Sequence, residues 1–199
     1  MNLPNKLTMA RIIIVPFFVI LLLSTNIKNN YLWALILFAA ASLTDRYDGK
    51  IARKNNQITN FGKFMDPLAD KILVVSAFIC FVQFHWAAAW VVILIVAREF
   101  LVTALRLIAM ESGIVIAANK WGKTKTVSQI IAIFMVLAMQ YVQSLIVSGS
   151  LRGFTIAGAD SASAFSAIGS IFIYIAAFFT VFSGVIYIAK NINLINTTK

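Results

Sequence analysis

The acidic chemistry of this sequence is concentrated in one stretch. Residues 45–70 read DRYDGKIARKNNQITNFGKFMDPLAD and hold four of the seven acidic residues. Asp45 and Asp48 are three apart, and Asp66 and Asp70 are four apart. On helices both spacings put the two carboxylates of a pair on one face. Two helices joined by the polar turn Asn55–Asn60 could aim all four at one point. Such a cluster repels itself unless cations neutralise it, and its hard oxygens suit Mg²⁺ or Mn²⁺ rather than zinc. Two such ions ~3.5–4 Å apart can clamp a phosphoryl group and stabilise its attacking and leaving oxygens. Four aspartates allow three to be mainly ligands and one to take a proton. Asp70, furthest along its helix, could face an incoming acceptor, and Gly49, Ala52 and Gly62 could leave room for a flat base.

The elements that must position these residues are apolar. The chain has 199 residues, 61% of them hydrophobic, and a mean hydropathy of +0.89. Soluble domains are closer to ~45–50% apolar. The expected class is therefore all-α: a polytopic membrane protein, one domain over residues 1–199, with six transmembrane helices and a short N-terminal amphipathic interfacial helix. No separate soluble domain and no cleaved secretory signal are expected. Leu3–Arg11 supplies the interfacial helix, with Pro4, Asn5 and Thr8 as helix-start residues. Ile12–Ser24 completes a first span. The second runs from Tyr31 to Lys54, with its last turns in the polar interface, and the third from Phe61 to Phe84, with Pro67 early in it. The fourth, Trp86 to Met110, carries Arg98, Glu99 and Arg106. Charges at that depth are costly and should face the bundle interior or a wet cavity. Ala118–Lys125 (ANKWGKTK) reads as a basic turn, Thr126–Ile146 as the fifth span, Ser148–Ser163 as a Gly/Ser-rich loop and Ala164–Ala189 as the sixth span.

The net charge of +10 suits anionic lipid and phosphorylated substrates. Nucleic acid is not an expected partner, because the basic residues cluster at span ends instead of on one soluble face. With six spans, one side collects Lys and Arg from both termini and from the acidic stretch, while the other has Lys28 and Arg152. The positive-inside rule then puts both termini and the aspartates on the cytoplasmic side of the cell membrane. Cys80 is the only cysteine, which excludes an intrachain disulfide.

The run Asp45-x2-Asp48-Gly49-x2-Ala52-Arg53-x8-Gly62-x3-Asp66-x3-Asp70 resembles, position for position, the signature of the CDP-alcohol phosphatidyltransferases. The opening LPNKLTMAR, the segment REFLVTALR (Arg98–Arg106) and GKTKT (Gly122–Thr126) are similar to the bacterial branch of that family that makes phosphatidylglycerophosphate. The resemblance implies a homodimer and a displacement at a CDP-activated lipid, with CDP-diacylglycerol and glycerol 3-phosphate as substrates. It implies that Asp45, Asp48, Asp66 and Asp70 hold two Mg²⁺ or Mn²⁺ ions and that Asp70 is the base. It implies a CDP site of Gly49, Ala52, Arg53 and Gly62, helped by Asn5 and Thr8. The acceptor's phosphate needs cations, and Arg98, Arg106, Lys123 and Lys125 can reach it.

Each assignment has a plainer alternative. Arg98 and Arg106 could pair with Glu99 or snorkel, Arg53, Lys123 and Lys125 could be topology signals, and Asn5 and Thr8 could be helix caps. His85 reads as an interface residue on the far side. Other acceptors (phosphatidylglycerol, inositol phosphate or serine) fit the same chemistry, and a cation transporter is the alternative from another class.

Overall fold

The computed structural model describes residues 3–54, 60–111, 120–156 and 158–191, with the helix or strand path alone at 3–7, 44–54, 60–64, 66, 67, 70, 111 and 156. The described residues form six helices: α1 (Leu3–Leu23), α2 (Asn30–Lys54), α3 (Asn60–Gln83), α4 (Ala89–Glu111), α5 (Lys120–Val147) and α6 (Ser161–Lys190). Two two-residue strands, β1 (Thr155–Ile156) and β2 (Ala159–Asp160), pair antiparallel ahead of α6.

Three expectations need correction. The short interfacial helix is not a separate element: Leu3–Arg11 continues into the first apolar run as one helix. Nothing between Arg11 and Ile12 breaks the backbone, and Pro16 is accommodated inside the helix. The basic segment around Gly122 is not a turn but the first turns of α5. Hydroxyls bond back along that helix, Thr124 to the Lys120 carbonyl at 3.3 Å and Thr126 to that of Gly122 at 3.1 Å. The expected Gly/Ser-rich loop holds the β1–β2 hairpin, with Gly158 at φ 82°, a backbone conformation that glycine adopts without Cβ strain.

The helices pack as a ring in the order α1–α2–α5–α6–α4–α3, with α3 also touching α5. The core fills the half of the ring nearest the α1–α2 and α3–α4 turns. Phe18 and Leu22 of α1, Phe38 of α2, Phe78 and Phe81 of α3 and Ile95 of α4 are wholly buried there. Tyr31, Phe84 and Trp86 close this end, the last two stacked at 4.4 Å. The α3–α4 turn is held by the Trp86 N–H on the Phe81 carbonyl, with exposed His85 at φ 59°. On α6, small residues at helical spacing (Gly169, Ala176, Ala177, Thr180, Gly184) are buried, which lets neighbouring helices approach closely. A Cβ on Gly169 would meet Val136 Cγ2 of α5 at 3.4 Å.

The outside is as apolar as the inside. Phe17, Ile20, Trp90, Ile93, Phe178 and Val185 are all more than half exposed. A soluble protein rarely shows so much apolar surface, whereas a bilayer favours it. α5 and α6 are long and apolar enough to cross a membrane by length and composition, while the apolar parts Thr8–Leu23, Asn30–Leu43 and Lys71–Gln83 are shorter. In α2 and α3 the apolar run stops where the aspartate-bearing turns begin.

Candidate active site

The half of the ring opposite the aromatic cluster is open. A cavity of about 710 Å³ lies there, walled by α2, α3, α4, α5 and α6. All four cations assigned to the acceptor phosphate line it: Arg98, Arg106, Lys123 and Lys125. They come from two helices. α4 contributes Arg98 and Arg106, eight residues apart and so on similar faces, and α5 contributes the two lysines from its first turns. Lys71 of α3, directly after Asp70, also lines the cavity.

These cations are not equivalent. Lys125 is only 6% exposed, and its Nζ donates to Glu99 Oε1. Arg98 donates from Nη1 to the same oxygen at 3.4 Å and from Nη2 to Ser183 Oγ at 3.0 Å. Pairing with Glu99 is the alternative that the sequence left open for Arg98, and the structure extends it to Lys125. Arg106 and Lys123 are exposed on the cavity wall and form no hydrogen bond or ion pair among the described residues. They are the cations open to an incoming anion.

The network around Glu99 contains residues that sequence reasoning passed over. Gln129 donates to Glu99 Oε1 at 3.3 Å and to Thr180 Oγ1 at 3.0 Å. Thr180 bonds back to the Ala176 carbonyl, Ser183 to that of Thr180, and Thr103 to that of Glu99. The helical start of α5 explains the division of labour. Lys125 and Gln129, four apart, share the buried face, while Lys123 lies off it. A sequence signal existed: Thr180, Ser183 and Tyr187 are polar positions at three- and four-residue spacing on an otherwise apolar helix. Gly184 has a direct part. A Cβ there would sit 2.7 Å from Arg98 Cγ, so only glycine lets the arginine stem cross α6.

The acidic stretch adjoins this cavity. Asp45, Asp48, Gly49, Ala52 and Arg53 lie on α2, and Gly62, Asp66 and Asp70 on α3. Their side chains, with that of Asn5, lie outside the described residues. The two aspartate pairs thus stand at i, i+3 and i, i+4 on helices, as the spacing requires. Ser42 and Leu43, just before Asp45 on α2, and Lys71, just after Asp70 on α3, form cavity wall. Thr8 is buried within α1, past its first turn, which rules out an N-cap role as α1 is bounded. Four carboxylates on two helices that flank one cavity are a donor set that suits Mg²⁺ or Mn²⁺.

Comparison with known proteins is consistent with this arrangement. The family model for CDP-alcohol phosphatidyltransferase matches residues 1–182. A Bacillus subtilis protein named CDP-diacylglycerol–glycerol-3-phosphate 3-phosphatidyltransferase is 43% identical over 209 aligned positions, covering all of this chain and 99% of the relative. Proteins of the same name from Rickettsia typhi and Escherichia coli are each 38% identical, the first covering 94% of both chains and the second 68% of this chain and 76% of its own. A full-length match of this kind, with the signature on helices beside a basic cavity, means that the chain belongs to the membrane-embedded CDP-alcohol phosphatidyltransferase family.

Proposed function

We propose that this chain transfers the phosphatidyl group of CDP-diacylglycerol to sn-glycerol 3-phosphate, giving phosphatidylglycerophosphate and CMP. The names of its full-length relatives support the reaction. The observation that carries the acceptor assignment is the cavity: it gathers Arg98, Arg106 and Lys123 between helix segments that run directly into the aspartates.

In this reading the acceptor enters the cavity phosphate first. Arg106 and Lys123 meet the dianion, and Arg98, fixed by Glu99 and Ser183, offers the remainder of its guanidinium. Arginine suits such bidentate recognition. The acceptor's 1-hydroxyl then reaches the β-phosphorus of the CDP-lipid. Its oxygen forms the new P–O bond as the bond to the CMP oxygen breaks, and Asp70 takes the hydroxyl proton. Asp45, Asp48, Asp66 and Asp70 would hold Mg²⁺ or Mn²⁺, two ions per site, and the bound ions would neutralise the carboxylates and the charge that develops on phosphoryl transfer. Gly49, Ala52, Arg53 and Gly62, with Asn5 and Thr8, bind the CDP group. Holding both substrates in line is the protein's main contribution, because positioning alone can lower such barriers by several kcal/mol, roughly 7–11 at best.

The surrounding topology is part of the proposal. The chain forms one domain over residues 1–199 with six spans, both termini and the aspartates on the cytoplasmic side, and works as a homodimer. The positive-inside charge bias and the apolar outer faces of the helices support the spans and their direction.

The test is CMP release by purified full-length protein in detergent, with CDP-diacylglycerol and Mg²⁺, with and without glycerol 3-phosphate. Release that needs both metal and glycerol 3-phosphate is the expected result. Release only with inositol phosphate, serine or phosphatidylglycerol would keep the aspartate chemistry and overturn the acceptor assignment.

A further inference from the structure

Glu99 uses only half of its carboxylate. Its Oε1 takes three donors: Lys125 Nζ, Gln129 Nε2 at 3.3 Å and Arg98 Nη1 at 3.4 Å. Its Oε2 is buried with no hydrogen-bond partner, on a side chain that is 2% exposed and lines the cavity. The same wall holds two more buried polar atoms without partners, Arg98 Nε and Tyr187 Oη. Buried polar groups are almost always satisfied, and of the four exceptions among the described residues three, all but Arg11 Nε, belong to residues of this one wall; they lie just behind its surface, so a ligand that turns these side chains toward it would supply their partners. The unmatched set has a definite character. Arg98 Nε and Tyr187 Oη can donate, which suits an anionic oxygen, while Glu99 Oε2 can only accept. The matching ligand carries a phosphate and, close to it, a hydroxyl proton.

We infer that Glu99 is a specificity-determining residue whose Oε2 accepts a hydrogen bond from the hydroxyl on the acceptor carbon next to the phosphate-bearing carbon. The inference rests on the proposed reaction and deepens it. In sn-glycerol 3-phosphate that group is the 2-hydroxyl, which does not react. Its recognition therefore selects the acceptor without entering the chemistry. A hydroxyketone phosphate has lone pairs but no proton at that carbon and would meet Oε2 with repulsion. A deoxy analogue would leave the oxygen buried and unmatched. A site built to bind a hydroxyl discriminates strongly against analogues that lack it. Glu99 also keeps Arg98 and Lys125 in place, but that role alone would not distinguish acceptors that share a phosphate.

The experiment measures kcat/KM for CMP release by the full-length protein in detergent, with CDP-diacylglycerol and Mg²⁺, for three acceptors: sn-glycerol 3-phosphate, 3-hydroxypropyl phosphate and dihydroxyacetone phosphate. The wild type should prefer the first over each of the others by roughly 10-fold or more. In Glu99→Gln, the donors on Lys125, Arg98 and Gln129 hold the amide oxygen and turn its NH₂ to the Oε2 position. That group donates, so the preference for glycerol 3-phosphate over dihydroxyacetone phosphate should fall about 10-fold or more, whatever the variant's absolute rate. Equal use of glycerol 3-phosphate and 3-hydroxypropyl phosphate by the wild type would overturn the inference, and this comparison stands if the variant does not accumulate. An unchanged preference in Glu99→Gln, with all rates lowered in proportion, would overturn it too and leave Glu99 as a positioning residue. Wild-type protein that releases no CMP with glycerol 3-phosphate would instead overturn the reaction on which the inference rests.

Discussion

The two halves of the helix ring use their helices in opposite ways. Near the α1–α2 and α3–α4 turns, the buried positions described are mostly apolar, and Phe18, Phe38, Phe78 and Phe81 fill the space. Toward the aspartate-bearing segments the inward positions turn polar and the ring opens into the cavity. α5 shows both behaviours on one face: Lys125 and Gln129 are buried in the polar network, and Ile133, Val136 and Leu137 farther along are buried in the core. Packing is therefore concentrated at one end of the ring and polar groups at the other. The closed half fixes the spacing of the helices. The open half can then hold like charges near one another, an arrangement that would not support itself.

The largest effect belongs to the aspartates. Asp70→Asn should lower CMP release by about 10³-fold or more, with a smaller loss of CDP-lipid binding by calorimetry; wild-type turnover would remove Asp70 from the chemistry. Next comes the closed half. Phe78→Ala should destabilise the protein by about 3 kcal/mol in a thermal or denaturant melt, yet leave acceptor KM unchanged in the protein that remains folded. A raised acceptor KM with normal stability would mean that the two halves are not separable. Third, Gly184→Ala puts a methyl group 2.7 Å from Arg98 Cγ, so the arginine stem must shift. It should raise acceptor KM about 10-fold by moving the guanidinium off Ser183, and an unchanged KM would show that Arg98 is not held for the acceptor. Arg106→Ala should raise acceptor KM by a similar or smaller factor, with KM for the CDP-lipid unaffected; equal changes in both would return Arg106 to a structural role. The smallest effect is expected on the outer surface: Phe178→Ala, at a position 64% exposed, should change stability by less than about 0.5 kcal/mol.

The sequence was most readable where chemistry is local. The i, i+3 and i, i+4 spacings of Asp45, Asp48, Asp66 and Asp70 need only a helix to have meaning, and α2 and α3 supply it. The start of α5 was less readable. Gly122 and the charged residues around it suggest a turn by composition, but helical bonding continues through them to Lys120. The Glu99 network was harder still, because its members lie on three helices: Arg98 and Glu99 on α4, Lys125 and Gln129 on α5, and Thr180 and Ser183 on α6.

The helical, membrane-suited class and the helical spacing of each aspartate pair were legible in the amino-acid order alone. These follow from residue type and from spacing within one helix. The packing of the helices sets which of the cavity's cations have partners among the described residues. Glu99 engages Lys125 and Arg98, while Arg106 and Lys123 stay open to the cavity, and Gly184 is what allows Arg98 its path. Arg98 and Glu99 are neighbours in sequence, but Lys125 lies 26 residues from Glu99 and Ser183 lies 85 from Arg98, and these are brought together only by the order in which six helices close a ring.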